Sequence, residues 1–246
     1  MDYFIEYYRN INRKGPGDDH YTEMAFRLLE GLPPNPKILD IGCGSGLQSI
    51  ALAKMIDCEI TAVDYYDYFL DELAENIKKE KLWDRIKPVK ASMFELPFED
   101  HEFDVIWAEG AIYIIGFENG LREWKRLLKP NGYLVATDIS WIRNDVPKAA
   151  HDFWTAAYPD VSNISKKIAI IEHQGYQSLA HLTLPEYGWM ENYYLPLEAR
   201  KASFLETYGH VPEAVQVVKE EFDTEFEIYK KYKEFFSYVY YIIRKL

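Results

Sequence analysis

The residues of this chain best suited to hold a nucleoside-bearing ligand are Ile38-Leu39-Asp40-Ile41-Gly42-Cys43-Gly44-Ser45-Gly46, an apolar strand running into glycines. Glycines accept positive φ and let a ligand approach the backbone, and the helix expected from Leu47 to Met55 offers unpaired N–H groups at its start. Asp40 distinguishes the loop. A carboxylate there repels the pyrophosphate of a dinucleotide and attracts the ammonium of a methionine moiety. The spacing Gly42-x-Gly44-x-Gly46 also puts Leu47 where a dinucleotide fingerprint wants its last glycine, so S-adenosylmethionine suits the turn better than NAD. A second carboxylate, Asp64, ends the short apolar run Glu59-Ile60-Thr61-Ala62-Val63, about 20 residues on, the separation a βαβ unit gives. Asp64 is placed to accept from paired ribose hydroxyls, with Tyr65 beside it for an adenine face. Its competing role, capping the helix that starts near Asp67, is the weaker reading given the glycine loop at this distance.

The motifs LDIGCGSG, ITAVD, ASMFELPFEDHEFDVIWAEG and LKPNGYLVATD occur in that order. Together they resemble the class I S-adenosylmethionine-dependent methyltransferases, in particular the small-molecule group related to the ubiquinone and menaquinone biosynthesis methyltransferases. The likeness covers residues 37 to 140. The run Trp107-Ala108-Glu109-Gly110-Ala111-Ile112-Tyr113, with Gly116-Phe117-Glu118 and Trp124, is similar to a bacterial and archaeal subfamily of that group. The resemblance implies a Rossmann-like, doubly wound α/β fold: seven strands, mostly parallel, with the last antiparallel, under a helical lid. It further implies that Asp40, Gly42 and Gly44, with Cys43 between them, hold the methionine portion, that Asp64 holds the ribose and that Tyr65 stacks on adenine. Many relatives carry an acid four residues before Leu-Pro-Phe; here that position is Ser92, which still accepts a hydrogen bond, while Met93 and Phe94 supply backbone N–H and an apolar wall. Glu109 follows the fourth strand, where relatives contact the methionine moiety.

Methyl transfer from a sulfonium is an in-line displacement, and its leaving group needs no proton. The protein's task is to align nucleophile, methyl and sulfur and to exclude water; a base is needed only when the nucleophile arrives protonated. The candidate bases are Glu109, His20 and His151. His20 lies in Gly15-Pro16-Gly17-Asp18-Asp19-His20-Tyr21, read as a loop able to close over the cofactor, and His151 shares a helical face with Trp154. Tyr21, Tyr113 and Trp154 are the candidate substrate contacts, against the alternative that such rings fill a core.

These residues need elements to place them. Periodicity predicts a helical segment 1–31, strand 37–42, helix 46–56, strand 59–64, helix 67–81, strands 86–91 and 103–108, helix 118–129 and strand 132–139. A helical stretch 147–175, strand 176–183, two helices within 196–234 and a last strand 237–244 follow. The division expected is an N-terminal helical cap (1–31), a cofactor-binding core (32–140), and lid insertions with the last two strands (141–246), all in one structural domain. Of the 246 residues, 48% are hydrophobic and 28% charged, which fits a globular fold. A net charge of -12 without basic clusters disfavours nucleic acid. Cys43 and Cys58 form neither a disulfide framework nor a metal-ligand pattern, so a reducing, cytoplasmic setting without metal is expected. The start lacks a basic n-region and no apolar run reaches the ~20 residues of a membrane span. The expected protein is a monomer or homodimer acting on a small-molecule acceptor. Protein or peptide methylation, and cofactor binding without catalysis, are the alternatives; NAD-dependent oxidation is the weakest.

Overall fold

A computed structural model describes residues 2–246, Glu221 without its side chain. Met1, within the expected cap 1–31, lies outside the described residues. The strands are β1 (Lys37–Ile41), β2 (Glu59–Asp64), β3 (Ile86–Lys90), β4 (Phe103–Ala108), β5 (Leu128–Trp141), the two-residue β6 (Ser162–Asn163), β7 (Tyr176–Thr183) and β8 (Phe236–Lys245). The sheet order is β3-β2-β1-β4-β5-β8-β7, with β6 beside the end of β5. Every pairing from β3 to β5 is parallel, and β8 runs antiparallel to both β5 and β7. This is the expected Rossmann-like α/β sheet, seven strands on one path, with the short β6 added.

Parallel strands covered on both faces must be apolar throughout, and Ile38, Leu39, Ile41, Val105, Ile106 and Trp107 are fully buried. Helix α3 (Leu47–Met55) is buried from Gln48 to Ala53, whereas α4 (Asp67–Lys79) buries only the stripe Phe69, Leu70, Leu73 and Ile77. Order reverses between β1 and β4, since β1 neighbours β2 on one side and β4 on the other. A crevice therefore opens at the carboxyl ends of these strands.

Several boundaries differ from the periodicity reading. The expected helix 118–129 is α5 (Phe117–Trp124) followed by a 3₁₀ turn, because Leu128 already starts β5. The stretch 147–175 is two helices, α6 (Lys148–Ala157) and α7 (Ile164–His173), interrupted where Pro159 and the β6 pairing break the helical run. The helical part of the lid begins earlier than 196, at α8 (Glu186–Trp189), and continues through a π turn at Met190–Tyr194 into α9 (Leu195–Tyr208). The helices α10 (Pro212–Val218) and α11 (Thr224–Tyr232) are likewise joined by a π turn. At the N-terminus, α1 (Tyr3–Tyr7) and α2 (Asp19–Phe26) are separated by a non-helical strap, so 1–31 is only partly helical. The strap is tied to the lid by Gly17 N–H donating to Gly188 O at 3.2 Å and Asn192 Nδ2 donating to Gly17 O at 2.8 Å. Most lid rings pack on one another: Trp189 stacks on Tyr229 at 4.9 Å and Tyr194 lies 4.9 Å from Phe226. Among the described residues no helix is long and apolar enough to cross a membrane.

Candidate functional site

The turn after β1 is built on positive φ at Gly42 (73°), Gly44 (54°) and Gly46 (80°). Gly46 opens α3, and a Cβ there would lie 2.1 Å from Leu73 Cδ1; one on Gly42 would lie 2.4 Å from Ala111 Cβ. The loop is fastened to the neighbouring strand by Gly42 N–H and Cys43 N–H, which both donate to Val63 O at 2.8 and 2.9 Å. Asp64, at the end of β2, accepts from Gly44 N–H at 2.9 Å and from Tyr66 N–H at 3.0 Å. Burial raises its carboxyl pKa, and the backbone N–H groups and the Lys14 charge pull the other way.

Above this turn lies a cavity of about 450 Å³. It is lined by Gly42, Gly44, Asp64, Tyr65, Ser92, Met93 and Phe94, together with Tyr113 and Lys14. Tyr65 and Phe94 are largely exposed rings at its rim. Seven of the sequence-derived binding residues thus converge: Gly42, Gly44, Asp64, Tyr65, Ser92, Met93 and Phe94. A smaller space of about 60 Å³ continues toward Arg13, Cys43, Gln48 and Glu109.

Asp40 departs from its expected place. It is fully buried beneath the loop, accepts from Ser49 Oγ at 2.6 Å and Gln48 Nε2 at 3.3 Å, and lines neither space. Burial pushes its carboxyl up to about 7 against those hydrogen bonds. The direct attraction expected between Asp40 and a ligand's ammonium is replaced by a prop between β1 and α3. A strand residue adjoining the glycines can point under the loop or over it, and spacing does not distinguish the two.

Glu109 is also committed. Its Oε1 accepts from Trp107 Nε1 at 2.8 Å and Thr22 Oγ1 at 2.6 Å, and its Oε2 from Tyr240 OH at 3.1 Å, with Arg13 Nη1 3.6 Å away. Burial raises its pKa, opposed first by Arg13 and then by the donors. With both oxygens engaged it joins the strap and α2 to β4 and β8, which is a holding role and not that of a free base.

The two histidine candidates are corrected. His20 is the second residue of α2, exposed and edge-on to Tyr21, and His151 is exposed on α6, stacked on Trp141 at 5.9 Å. Neither lines these two spaces or the chamber under the lid. Tyr21 packs against Tyr187 and Tyr240 and is likewise outside them. Helical phase put His151 and Trp154 on one face, but that face wraps over the end of β5 and only Trp154 reaches inward.

A second cavity, about 440 Å³, lies under the lid. It shares Phe4, Lys14, Gly110 and Tyr113 with the first, so those four residues stand where the two meet. Trp154 and Tyr113, both expected substrate contacts, line it, as do Tyr158, Tyr193, Tyr238 and Glu225, which the sequence did not single out. Lys14 was missed as well: its ammonium donates to Tyr8 O at 2.9 Å and Ile11 O at 2.7 Å and pairs with Glu72 at 2.5 Å. Its one sequence signal is adjacency to Gly15-Pro16-Gly17. A further unforeseen feature is the buried pair Lys167–Asp138, with Tyr158 OH donating to Asp138 at 3.2 Å. Burial pushes the Asp138 carboxyl up to about 6, against the Lys167 charge.

Comparison with known proteins bears on the same region. Residues 39–136 match the family model described as a methyltransferase domain. An uncharacterized protein of Haemophilus influenzae is 33% identical over 136 residues, 54% of each chain. A sterol 24-C-methyltransferase of Gibberella zeae is 29% identical over 141 residues, 57% of this chain and 36% of the relative. The chain thus spans about half or less of the length of these curated relatives. Among solved structures, an S-adenosylmethionine-dependent methyltransferase from Geobacter sulfurreducens in complex with S-adenosyl-L-homocysteine superposes with a TM-score of 0.85. It covers 100% of this chain and 98% of its own at 17% identity, a likeness of fold.

Proposed function

Taking as premise that residues 39–136 are a methyltransferase domain, we propose that the chain moves the methyl group of S-adenosylmethionine to a small-molecule acceptor by in-line displacement. The observation that carries this reading is the meeting of two cavities at Gly110 and Tyr113: a cleft built on glycines and Asp64, and an aromatic chamber under the lid. In this arrangement Asp64 takes the ribose hydroxyls, while Tyr65, Met93 and Phe94 enclose the adenine near Ser92. The methionine end runs past Gly42 and Gly44 into the space lined by Arg13, Cys43, Gln48 and Glu109.

The chain's own residues then do three things. The glycine turn lets the backbone approach the donor, the junction at Gly110 and Tyr113 aims the sulfonium methyl at the chamber, and the lid rings keep water from the reacting line. No proton needs to be delivered to the departing sulfur. The chamber's enclosure by lid side chains favours a small acceptor over a protein or peptide, which would need an open groove.

Incubating the full chain with methyl-labelled S-adenosylmethionine and a panel of small acceptors tests the proposal. Label on an acceptor, lost in Asp64→Ala, is the expected result. Binding of S-adenosylhomocysteine without transfer to any acceptor would favour a non-catalytic cofactor-binding protein instead.

A further inference from the structure

The chamber under the lid has a chemical bias, and on the reading just proposed that bias selects the acceptor. We propose that the acceptor is an amine, methylated on nitrogen. The rings of Tyr113, Phe153, Trp154, Tyr158, Tyr193 and Tyr238 line the chamber, and the carboxylates of Glu220 and Glu225 border it. Among the described lining residues Lys14 is the one cation. Its charge is already matched by Glu72 and two backbone carbonyls. Ring faces carry negative quadrupole potential, so aromatic rings together with two carboxylates bias the chamber toward a cation over an anion.

The movement of charge during transfer makes this bias matter. The donor sulfur carries one positive charge. When the nucleophile is a neutral amine, its lone pair forms the C–N bond as the C–S bond breaks, and the C–S electron pair stays on sulfur. The positive charge therefore travels from the cleft into the chamber, where rings and carboxylates stabilise it increasingly along the reaction. When the nucleophile is a phenolate, carboxylate or other anion, the charges cancel, and the same wall opposes the anion's entry. The acceptor enters as the free amine, its ammonium form having given its proton to bulk water before binding; the methylated product leaves as an alkylammonium with S-adenosylhomocysteine.

Two further observations agree. A hydroxyl acceptor would need a base, yet Glu109 is held by Trp107, Thr22, Tyr240 and Arg13, His20 and His151 lie outside the chamber, Glu225 accepts from Tyr194 OH at 2.6 Å and Glu220 is exposed to solvent. The lining hydroxyls of Tyr193 and Tyr238 are raised well above the ordinary tyrosine value by burial first, with the charge of Glu225 among the further causes, so they remain neutral.

The test is a charge series on one phenyl frame, titrated calorimetrically into the full chain saturated with S-adenosylhomocysteine: benzyltrimethylammonium, benzyl alcohol and phenylacetate. The cation should bind about tenfold or more tighter than the alcohol, and the anion weakest of the three. Glu225→Gln should weaken the cation about fivefold while S-adenosylhomocysteine affinity stays within about twofold. Because Tyr194 OH donates to Glu225 at 2.6 Å and the substitution could disturb packing, the exposed Glu220→Gln provides a second variant, expected to weaken the cation by a smaller factor. Equal affinity for cation and alcohol, or tighter anion binding, with S-adenosylhomocysteine binding intact overturns the amine assignment alone. Failure of S-adenosylhomocysteine to bind at all overturns the methyl-transfer reading on which it rests.

Discussion

The floor and the roof of the site are made of different materials. The floor, from Gly42 to Phe94, is anchored on backbone: N–H groups fixed by positive φ, a strand-end carboxylate holding two of them, and a helix start, with Tyr65, Met93 and Phe94 added at its edge. The roof is made of side chains brought from α1, α6, α11 and β8, regions far apart in sequence. A backbone-built floor tolerates few substitutions, because each glycine or carboxylate serves several contacts at once. A side-chain roof can exchange one ring for another and change what it admits without losing its scaffold. The donor half of the site is therefore the rigid one and the acceptor half the adjustable one.

Substitutions can break that contrast, beginning where the effect should be greatest. Gly46→Ala places a Cβ 2.1 Å from Leu73 Cδ1 at a φ of 80°, and should cost about 2–4 kcal/mol in denaturant unfolding. A neutral result would mean that the turn is not rigid. Asp64→Ala removes two charge-assisted hydrogen bonds to the loop and the ribose site, so affinity for S-adenosylhomocysteine should fall about a hundredfold, readable by calorimetry.

The prop beneath the floor should show itself through pH. Asp40 is raised from 3.8 to about 7, so the folded protein keeps a proton that the unfolded chain has lost. That contribution is complete below about pH 4 and is lost as the pH rises to about 7, by at most ~1.4 kcal/mol per pH unit. Asp40→Asn should flatten the stability profile across this window; an unchanged slope would contradict a protonated prop. Asp138, raised to about 6, adds a slope of the same sign that the variant retains.

The roof should respond differently. Phe153→Leu is expected to cost about 1 kcal/mol of stability and leave S-adenosylhomocysteine affinity unchanged, while altering which acceptors are methylated. His20→Ala and His151→Ala should be nearly silent, each within about 0.5 kcal/mol of the parent in stability and without effect on transfer. A large loss of transfer in either would restore the catalytic role that their exposed positions argue against.

The same difference in materials decides what the amino-acid sequence reveals. Backbone geometry depends on glycines at fixed offsets, so Gly42, Gly44 and Asp64 stand out in a short window, and period-two and helical patterns locate the strands that carry them. The direction of the Asp40 side chain does not follow from spacing, since it is set by Ser49 and Gln48 on the helix beneath. Glu109 was visible as a carboxylate at the strand edge, but its donors Thr22 and Tyr240 lie 87 and 131 residues away in the chain. Tyr158, Tyr193, Tyr238 and Glu225 carry no local signature: in a chain with 20 tyrosines, only the packing of the lid determines which few face the chamber.

A crystal structure of the chain with bound S-adenosylhomocysteine tests the account most directly. In that complex the ribose hydroxyls should lie about 2.7–3.0 Å from Asp64, the adenine between Tyr65 and the Met93–Phe94 segment, and the sulfur should be directed at the junction of Gly110 and Tyr113. A ligand seated elsewhere, or one in the cleft with its sulfur turned away from the aromatic chamber, would contradict it.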